Sequence, residues 1–201
     1  MSSRVARDRL SLHLDAVLED VIEPDVVPEA PVLRFEAFLA DARIFGHVHL
    51  AADRLTDLLN AHPALDLHAA TRENLLDGTT LSSEQVLVPR SQLVAVLATG
   101  PRGDPALRRW TRAYPVAVQA GSYLIGGYAH ATPSHDPLRS IADRPPMVPL
   151  TDAWMEYWRG GERIQQWVGT IIFNRDLAGS VRAVAEEELE FGQLRPGPEA
   201  A

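Results

Sequence analysis

The stretch Arg43-Ile44-Phe45-Gly46 has a diverged counterpart eighty positions later, Tyr123-Leu124-Ile125-Gly126. Leu58 and Leu138 are separated by the same offset. Few positions are identical, but the apolar pattern is shared, and a pattern that recurs at a fixed offset indicates an internal repeat. The sequence therefore predicts that one small domain occurs twice.

The correspondence continues through both halves with a slowly increasing offset. Leu67 matches Leu150 at 83 positions, and the segment Val86-Leu87-Val88-Pro89-Arg90 matches Ile171-Ile172-Phe173-Asn174-Arg175 at 85. Small insertions in surface loops, which folds tolerate well, produce such a drift. We interpret the chain as a diverged tandem pair and expect Gly46 to superpose on Gly126.

The composition is that of a globular protein. The chain has 201 residues, 46% hydrophobic residues, no cysteine and a net charge of −8. No stretch approaches the roughly 20 apolar residues of a membrane span, so we expect a soluble protein without membrane contact. Charged residues are interspersed through 5–21, so this segment has no uninterrupted apolar region of a secretory signal. The absence of cysteine agrees with a reducing compartment, and we expect the protein in the cytoplasm.

The charge balance makes nucleic acid an unlikely partner. A net charge of −8 repels a polyanion at long range. The one basic cluster lies between the two predicted units, and we interpret it as a solvated linker. Its members are Arg102, Arg108, Arg109 and Arg112.

Proline and glycine mark the boundaries along the chain. Apolar residues recur at helical spacing between Arg9 and Ile22, and three prolines then interrupt the pattern. The predicted parts are an N-terminal helix with a proline-rich connector (1–31), a first unit (32–99), a linker (100–113), a second unit (114–185), and an acidic helix with a disordered tail after Leu194 (186–201).

Each unit is predicted to be mainly β. In the first, a strand through Gly46 is followed by a short helix, Asp53 to Asn60, and by a hairpin at Asp77-Gly78. The second repeats this order, with a proline-rich turn in place of the helix. The fold class is thus mainly β with short helices (α+β): two tandem small β-barrels or bent antiparallel sheets, with a helix at each end of the chain.

These patterns resemble Sm-like small barrels. The segment Ile44-Phe45-Gly46-His47-Val48-His49-Leu50, followed by 86–96 with its strand, turn and strand, is similar to the two-part pattern of that family, in which a glycine lets the second strand bend. Ile125-Gly126-Gly127-Tyr128 with 171–177 is similar to it too. The resemblance implies a small closed barrel in each unit. No residues match the RNA-contacting positions of the family, so RNA binding is not implied.

No motif predicts a metal or another cofactor. His47 and His49 lie on one face of a predicted strand, as a ligand pair requires. The chain has no cysteine and no His-Glu-x-x-His, and the other histidines fall at no recognised ligand spacing. At an offset of eighty the second unit has Gly127 and Ala129 at these positions, so we expect no metal site.

No motif predicts an enzyme either. Ser134-His135-Asp136 lies between prolines, where three consecutive polar residues are far more typical of a turn than of a catalytic triad. Gly126-Gly127 lacks the spacing of a dinucleotide-binding loop, and no phosphate-binding Gly-Lys-Ser/Thr occurs. We predict a protein without catalytic activity.

One candidate surface remains, on the hairpin around Gly160-Gly161. A two-residue turn there pairs Arg159 with Glu162 and, further out, Trp154 with Trp167. One face of the hairpin, which we call the tryptophan face, then carries Trp154, Glu156, Trp158, Arg163, Gln165 and Trp167. Because this face mixes polar groups with three tryptophans, we expect it to be at least partly exposed. The opposite face is mainly apolar and suits the core.

The first unit lacks this aromatic surface. At an offset of 83 its equivalent positions carry Thr71, Glu73, Leu75, Thr80, Ser82 and Glu84. Exposed tryptophans beside polar groups suit a protein interface or a ligand platform. We therefore predict a non-enzymatic module that binds a protein partner or self-associates. The alternative is a small-ligand sensor that uses the tryptophan face, and the remaining possibility is that other parts of the protein cover that face.

Overall fold

The computed structural model describes residues 30–107 and 109–190. The predicted N-terminal helix at Arg9–Ile22, the tail after Leu194 and Arg108 lie outside these residues. Where an acidic C-terminal helix was expected, the chain forms a short 3-10 helix, Glu186–Leu189. None of the helices in the described ranges has the length and apolar character needed to cross a membrane.

The described residues form one antiparallel sheet of ten strands with two short α-helices, which confirms the mainly β class. The helices are α1 (Leu55–Ala61) and α2 (Pro137–Ala142). The strands are β1 (Val32–Phe38), β2 (Ala42–His49), β3 (Ala64–Asn74), β4 (Thr80–Pro89), β5 (Ala95–Leu97), β6 (Arg112–Ala120), β7 (Tyr123–Ala131), β8 (Met147–Arg159), β9 (Glu162–Asn174) and β10 (Ser180–Ala183).

The order of the strands is the same in the two halves of the sheet. Across the sheet it runs β10-β6-β7-β8-β9-β5-β1-β2-β3-β4. In both the β1–β5 half and the β6–β10 half, the last strand therefore lies beside the first, followed by the second, third and fourth. The halves meet where β5 pairs with β9, and we call this junction the seam. Within residues 30–107 and 109–190, strands β4 and β10 are the two outer edges of the sheet.

The apolar core continues across the seam. The largest cluster of buried residues contains Phe38 and Val94 from the first half together with Tyr123, Tyr157 and Phe173 from the second. A second cluster lies mainly in the first half but includes Met147 and Ile172. The two halves thus share their hydrophobic stabilisation.

A bulge at the same place in each half corrects the expected superposition. Gly46 lies opposite Phe35 and Gly127 lies opposite Val116, and the ladder to the next strand is irregular beside each glycine. Gly46 therefore takes the place of Gly127, and the expected match with Gly126 is wrong by one residue. In a strand, a shift of one residue moves every side chain to the other face.

The structure also corrects the proline-rich turn expected in the second unit. This segment contains α2, which occupies the same place in chain order as α1. The side chain of Asp136 accepts a hydrogen bond from the backbone N–H of Leu138, at 2.9 Å, and Pro137 occupies the first turn, where no N–H is needed. An aspartate N-cap followed by proline starts a helix, so the residues that suggested a turn begin a helix instead.

Both predicted hairpins are present. The pairs from Arg159 with Glu162 to Trp154 with Trp167 are those predicted from a two-residue turn. At Asp77-Gly78 the connection is longer, because β3 ends at Asn74 and β4 begins at Thr80.

Candidate interaction surfaces

The tryptophan face is only partly exposed. Trp154 is 1% exposed, so this residue of a face that was expected to be at least partly exposed is buried. Its indole Nε1 donates a hydrogen bond to the backbone oxygen of Leu189, at 2.9 Å, and Leu189 packs against it. The 3-10 helix Glu186–Leu189 thus covers the indole with its single leucine, which follows three glutamates.

The rest of the tryptophan face lies at the surface. Trp158 and Trp167 are 55% and 59% exposed. Between them, the carboxylate of Glu156 accepts hydrogen bonds from Arg163, at 2.5 Å, and from Gln165, at 2.7 Å. Partial burial alone would raise the pKa of Glu156, but these hydrogen bonds hold the pKa below its ordinary value. The guanidinium of Arg163 thus binds this carboxylate.

The seam is held by backbone pairing and by side chains. Ala95, Val96 and Leu97 pair with Phe173, Ile172 and Ile171 in turn. At one end the backbone N–H of Asn174 donates to Val94, at 2.9 Å, and at the other the N–H of Ala98 donates to Thr170, at 3.0 Å. The side-chain amide of Asn60 also donates to and accepts from the backbone of Met147, both at 3.0 Å.

A buried carboxylate links the two halves at the side of the seam. Glu73, 5% exposed, accepts a hydrogen bond from Arg43 of its own half, at 2.9 Å, and another from Arg159 of the second half. Burial alone would raise its pKa, but the two guanidinium groups lower the pKa below the ordinary value. Next to it, the backbone N–H of Gly160 donates to Leu75, at 2.8 Å. The tip of the β8–β9 hairpin is therefore anchored on the first half.

Aromatic packing completes this junction. Phe38 contacts both Tyr123 and Tyr157, with ring centroids 5.8 Å and 5.1 Å apart. The hydroxyl of Tyr123 donates to the backbone oxygen of Leu39, at 2.5 Å, and burial raises its pKa. A cavity of about 430 Å³ opens beside it, with an ion pair of Asp41 and Arg72, at 3.0 Å, among the groups that line it.

The outer edge at β4 exposes two leucines. Leu81 and Leu87 are 72% and 67% exposed. Ile172, which occupies on β9 the place of Leu87 on β4, is completely buried against β5. No sequence motif marks these leucines as a surface, although Leu87 belongs to one of the segments that match between the two halves.

The histidines are arranged differently from the sequence interpretation. His47 lies opposite His68 in the ladder of β2 and β3, and the His49 and His68 rings are 5.5 Å apart. Because the bulge sets the offset at 81, the equivalents of His47 and His49 are Tyr128 and His130, not Gly127 and Ala129. His130 is half-buried, and its burial and the nearby Arg144 lower its pKa.

The linker arginines are exposed where the structure describes them. Arg102, Arg109 and Arg112 lie at the surface. Trp110 lies between two of them in the chain and is 81% exposed. The guanidinium of Arg112 lies over the ring of Tyr114, 5.6 Å from its centroid.

Comparisons of the chain with models of protein families, with curated proteins and with solved structures gave no match.

Proposed function

We propose that this chain is a non-enzymatic cytoplasmic module that self-associates, built from a duplicated, Sm-like small β domain. One observation carries the proposal. The β5 edge of the first half and the β9 edge of the second are joined at the seam, while the equivalent edges, β10 and β4, are left as the outer edges of the sheet. A second copy would offer each outer edge a partner strand. That strand is equivalent to the one with which the counterpart of the edge pairs at the seam.

Equivalent contacts in the two halves support the duplication. Arg90 binds the carbonyl oxygens of Leu59 and Asn60 at the end of α1, and Arg175 binds those of Ile141 and Ala142 at the end of α2. Each arginine thus satisfies helix carbonyls that have no partner within the helix.

The bulges are equivalent as well. Ala69 and Asp152, the residues of β3 and β8 beside the bulges, both adopt positive φ, 48° and 45°. Such a conformation is uncommon for residues other than glycine. Two domains that diverged from one ancestral domain would both retain this conformation.

The seam gives the register for pairing between copies. Val96 lies opposite Ile172 there, and the equivalents of these residues are Val181 on β10 and Leu87 on β4. Pairing of copies then places Val181 opposite Leu87 and Arg182 opposite Val86. It would cover Leu87, and full burial of a leucine side chain contributes roughly 1.5 to 3 kcal/mol.

The junction between copies is weaker than the seam. Asn174 donates a backbone hydrogen bond across the seam, but its equivalent on β4 is Pro89, which has no N–H. Arg159, which binds buried Glu73 at the seam, corresponds to Leu76 at the offset of 83. Pairing between copies has the geometry of the seam but fewer polar contacts. We therefore expect copies of the chain to associate reversibly, to an extent that depends on protein concentration.

Association of this kind is head-to-tail. The two outer edges belong to different strands, so one edge of a copy binds the other edge of the next. If the rotation between copies closes, a ring results, and otherwise a filament. Pairing would also protect an exposed, leucine-bearing edge strand, which is otherwise an aggregation hazard.

Disulfide trapping tests the proposed register, because the chain has no cysteine of its own. Val86→Cys and Arg182→Cys proteins are mixed under mild oxidation, and we expect a covalent dimer. The internal pair Leu97→Cys with Ile171→Cys, which occupies the equivalent places at the seam, is the positive control. Val86→Cys with Ala183→Cys is the register control, because these side chains would point to opposite faces.

Two results would reject the proposal. One is a monomer by light scattering at the highest soluble concentration. The other is a cross-link that forms no faster in the Val86→Cys and Arg182→Cys mixture than in the register control.

A small-ligand sensor is the second candidate. It is favoured by the two exposed indoles of Trp158 and Trp167, which lie on one face with the Glu156 carboxylate between them. Indole fluorescence titrated with a panel of small polar and aromatic ligands tests it. A saturable change that Trp158→Thr or Trp167→Ser abolishes would support a sensor, and no change with any ligand would reject it.

A further inference from the structure

Three imidazoles and a carboxylate lie side by side on the outer face of β2 and β3. His47 is paired with His68 across the ladder. His49 lies two residues beyond His47, and Asp66 two residues before His68, so all four side chains project from one face. His47 and His49 are exposed, and the side chain of His68 is 44% exposed. We call this group the histidine patch.

Two of these rings already lie close together. The centroids of His49 and His68 are 5.5 Å apart, and their planes are nearly perpendicular, at 89°. Imidazole nitrogens bind zinc at about 2 Å, so the centroids of two rings bound at a tetrahedral angle lie about 5 Å apart.

Asp66 is placed to orient one of these rings. Its Oδ2 lies 3.8 Å from Nε2 of His68 and accepts a hydrogen bond from Gln85, at 2.6 Å. A histidine that binds metal through one ring nitrogen commonly has a carboxylate beside the other.

We propose that His47, His49 and His68 bind one zinc ion, with Asp66 as the positioning residue for His68. Within residues 30–107 and 109–190, no three potential ligands are yet grouped so as to hold a metal. Binding therefore requires the exposed side chain of His47 to rotate toward the other two rings. Water supplies the fourth ligand, as in other sites with three protein ligands.

The second half lacks such a group. Its equivalent positions hold Tyr128, His130 and Thr151, so one imidazole remains. The ring of His130 is hydrogen-bonded to the hydroxyl of Thr151, at 2.8 Å, and contacts that of Thr111, at 3.4 Å. The proposed site thus belongs to the first half alone and lies away from the seam.

Calorimetric titration of the full chain with zinc chloride tests the proposal. We expect one zinc per chain at the patch, with an affinity reduced at least tenfold by His68→Ala or His49→Ala. Asp66→Asn should reduce it by a smaller factor, because Asp66 acts through His68. His62→Ala is the matched control, since His62 is exposed outside the patch, at the end of α1. The melting temperature of each variant in the absence of zinc shows whether it is folded.

Three outcomes would overturn the proposal. The first is no zinc binding by the parent chain. The second is equal affinity of the parent and of folded His68→Ala. The third is an equal loss in His62→Ala and His68→Ala, which would place the ion elsewhere.

Discussion

At the scale of single residues, Trp154 and Trp167 lie opposite each other but differ in exposure. They are direct partners in the ladder of β8 and β9 and project from the same face. Leu189 covers the first indole and leaves the second 59% exposed. The first therefore belongs to the core, while the second is available for contacts with other molecules.

Trp154→Thr should destabilise the protein strongly. The substitution leaves a cavity under Leu189 and removes the hydrogen bond to its carbonyl, and loss of a buried tryptophan costs roughly 3 to 5 kcal/mol. Trp167→Ser should change the free energy of unfolding by no more than about 0.5 kcal/mol, because the indole is exposed. Urea unfolding measures both. Equal effects of the two substitutions would contradict the assignment of Trp154 to the core.

Glu73 should make stability depend on pH. Its pKa is lowered in the folded protein, so its stabilisation is complete above the ordinary glutamate pKa of about 4.3 and is lost as pH falls through the lowered value. Glu73→Gln removes the carboxylate shared by Arg43 and Arg159 and should cost roughly 1 to 3 kcal/mol at pH 7.

The test follows the difference in unfolding free energy between parent and Glu73→Gln across the acidic range. The difference should shrink as pH falls below the ordinary glutamate pKa. Glu84→Gln, at an exposed position on β4, serves as the control. A difference that stays constant with pH would show that the ion cluster is not the cause.

At the scale of elements, the two bulges decide how the strands bend past each other. At Gly127, strand β7 lies so close to β8 that an added Cβ would be 3.0 Å from the Cβ of Ala153 and 3.1 Å from that of Leu150. Gly46 is similarly close to the carbonyl oxygen of His68, at 3.1 Å. A Cβ at either position fits only if the neighbouring strand shifts, so glycine is favoured at these crossings.

Gly127→Ala should therefore be destabilising by roughly 1 to 3 kcal/mol, as expected for overpacking. Gly179→Ala is the matched control, because a Cβ there would meet Gln119 at 3.7 Å, an ordinary contact. Thermal unfolding of the two variants measures the difference. Equal melting temperatures would mean that the strands separate at the bulge without cost.

At the scale of the whole molecule, β5 and β9 pair at the seam, while the strands equivalent to them, β10 and β4, form the outer edges of the described sheet. Leu87→Lys should abolish self-association while preserving the fold, because Leu87 is already 67% exposed and a charged residue on an edge strand opposes pairing. Light scattering over a range of concentrations, with circular dichroism, measures both properties. Val32→Lys, at an exposed position on β1 away from the outer edges, is the control. Unchanged association of a folded Leu87→Lys protein would exclude the β4 edge.

The strand segments and the register of the β8–β9 hairpin were accessible from local sequence, and some features that depend on a single residue were not. The two-residue turn at Gly160-Gly161 determines the pairing of β8 and β9, because turn length sets register. The offset of eighty at Gly46 is one residue too short, because two adjacent glycines, Gly126 and Gly127, match Gly46 equally well by pattern. The start of α2 depends on the Asp136 cap, whose residues are equally typical of turns.

From the sequence alone a mainly β chain, the short helix near 53–60 and a recurring apolar pattern were predictable, because the periods of side chains along strands and helices are local properties. The tertiary structure alone decided which surfaces are exposed. The cover over Trp154, the partners of Glu73, the meeting of His47 with His68 and the joining of β5 to β9 all bring together residues far apart in the chain. Contacts of this kind depend on the path of the whole backbone, which no local pattern encodes.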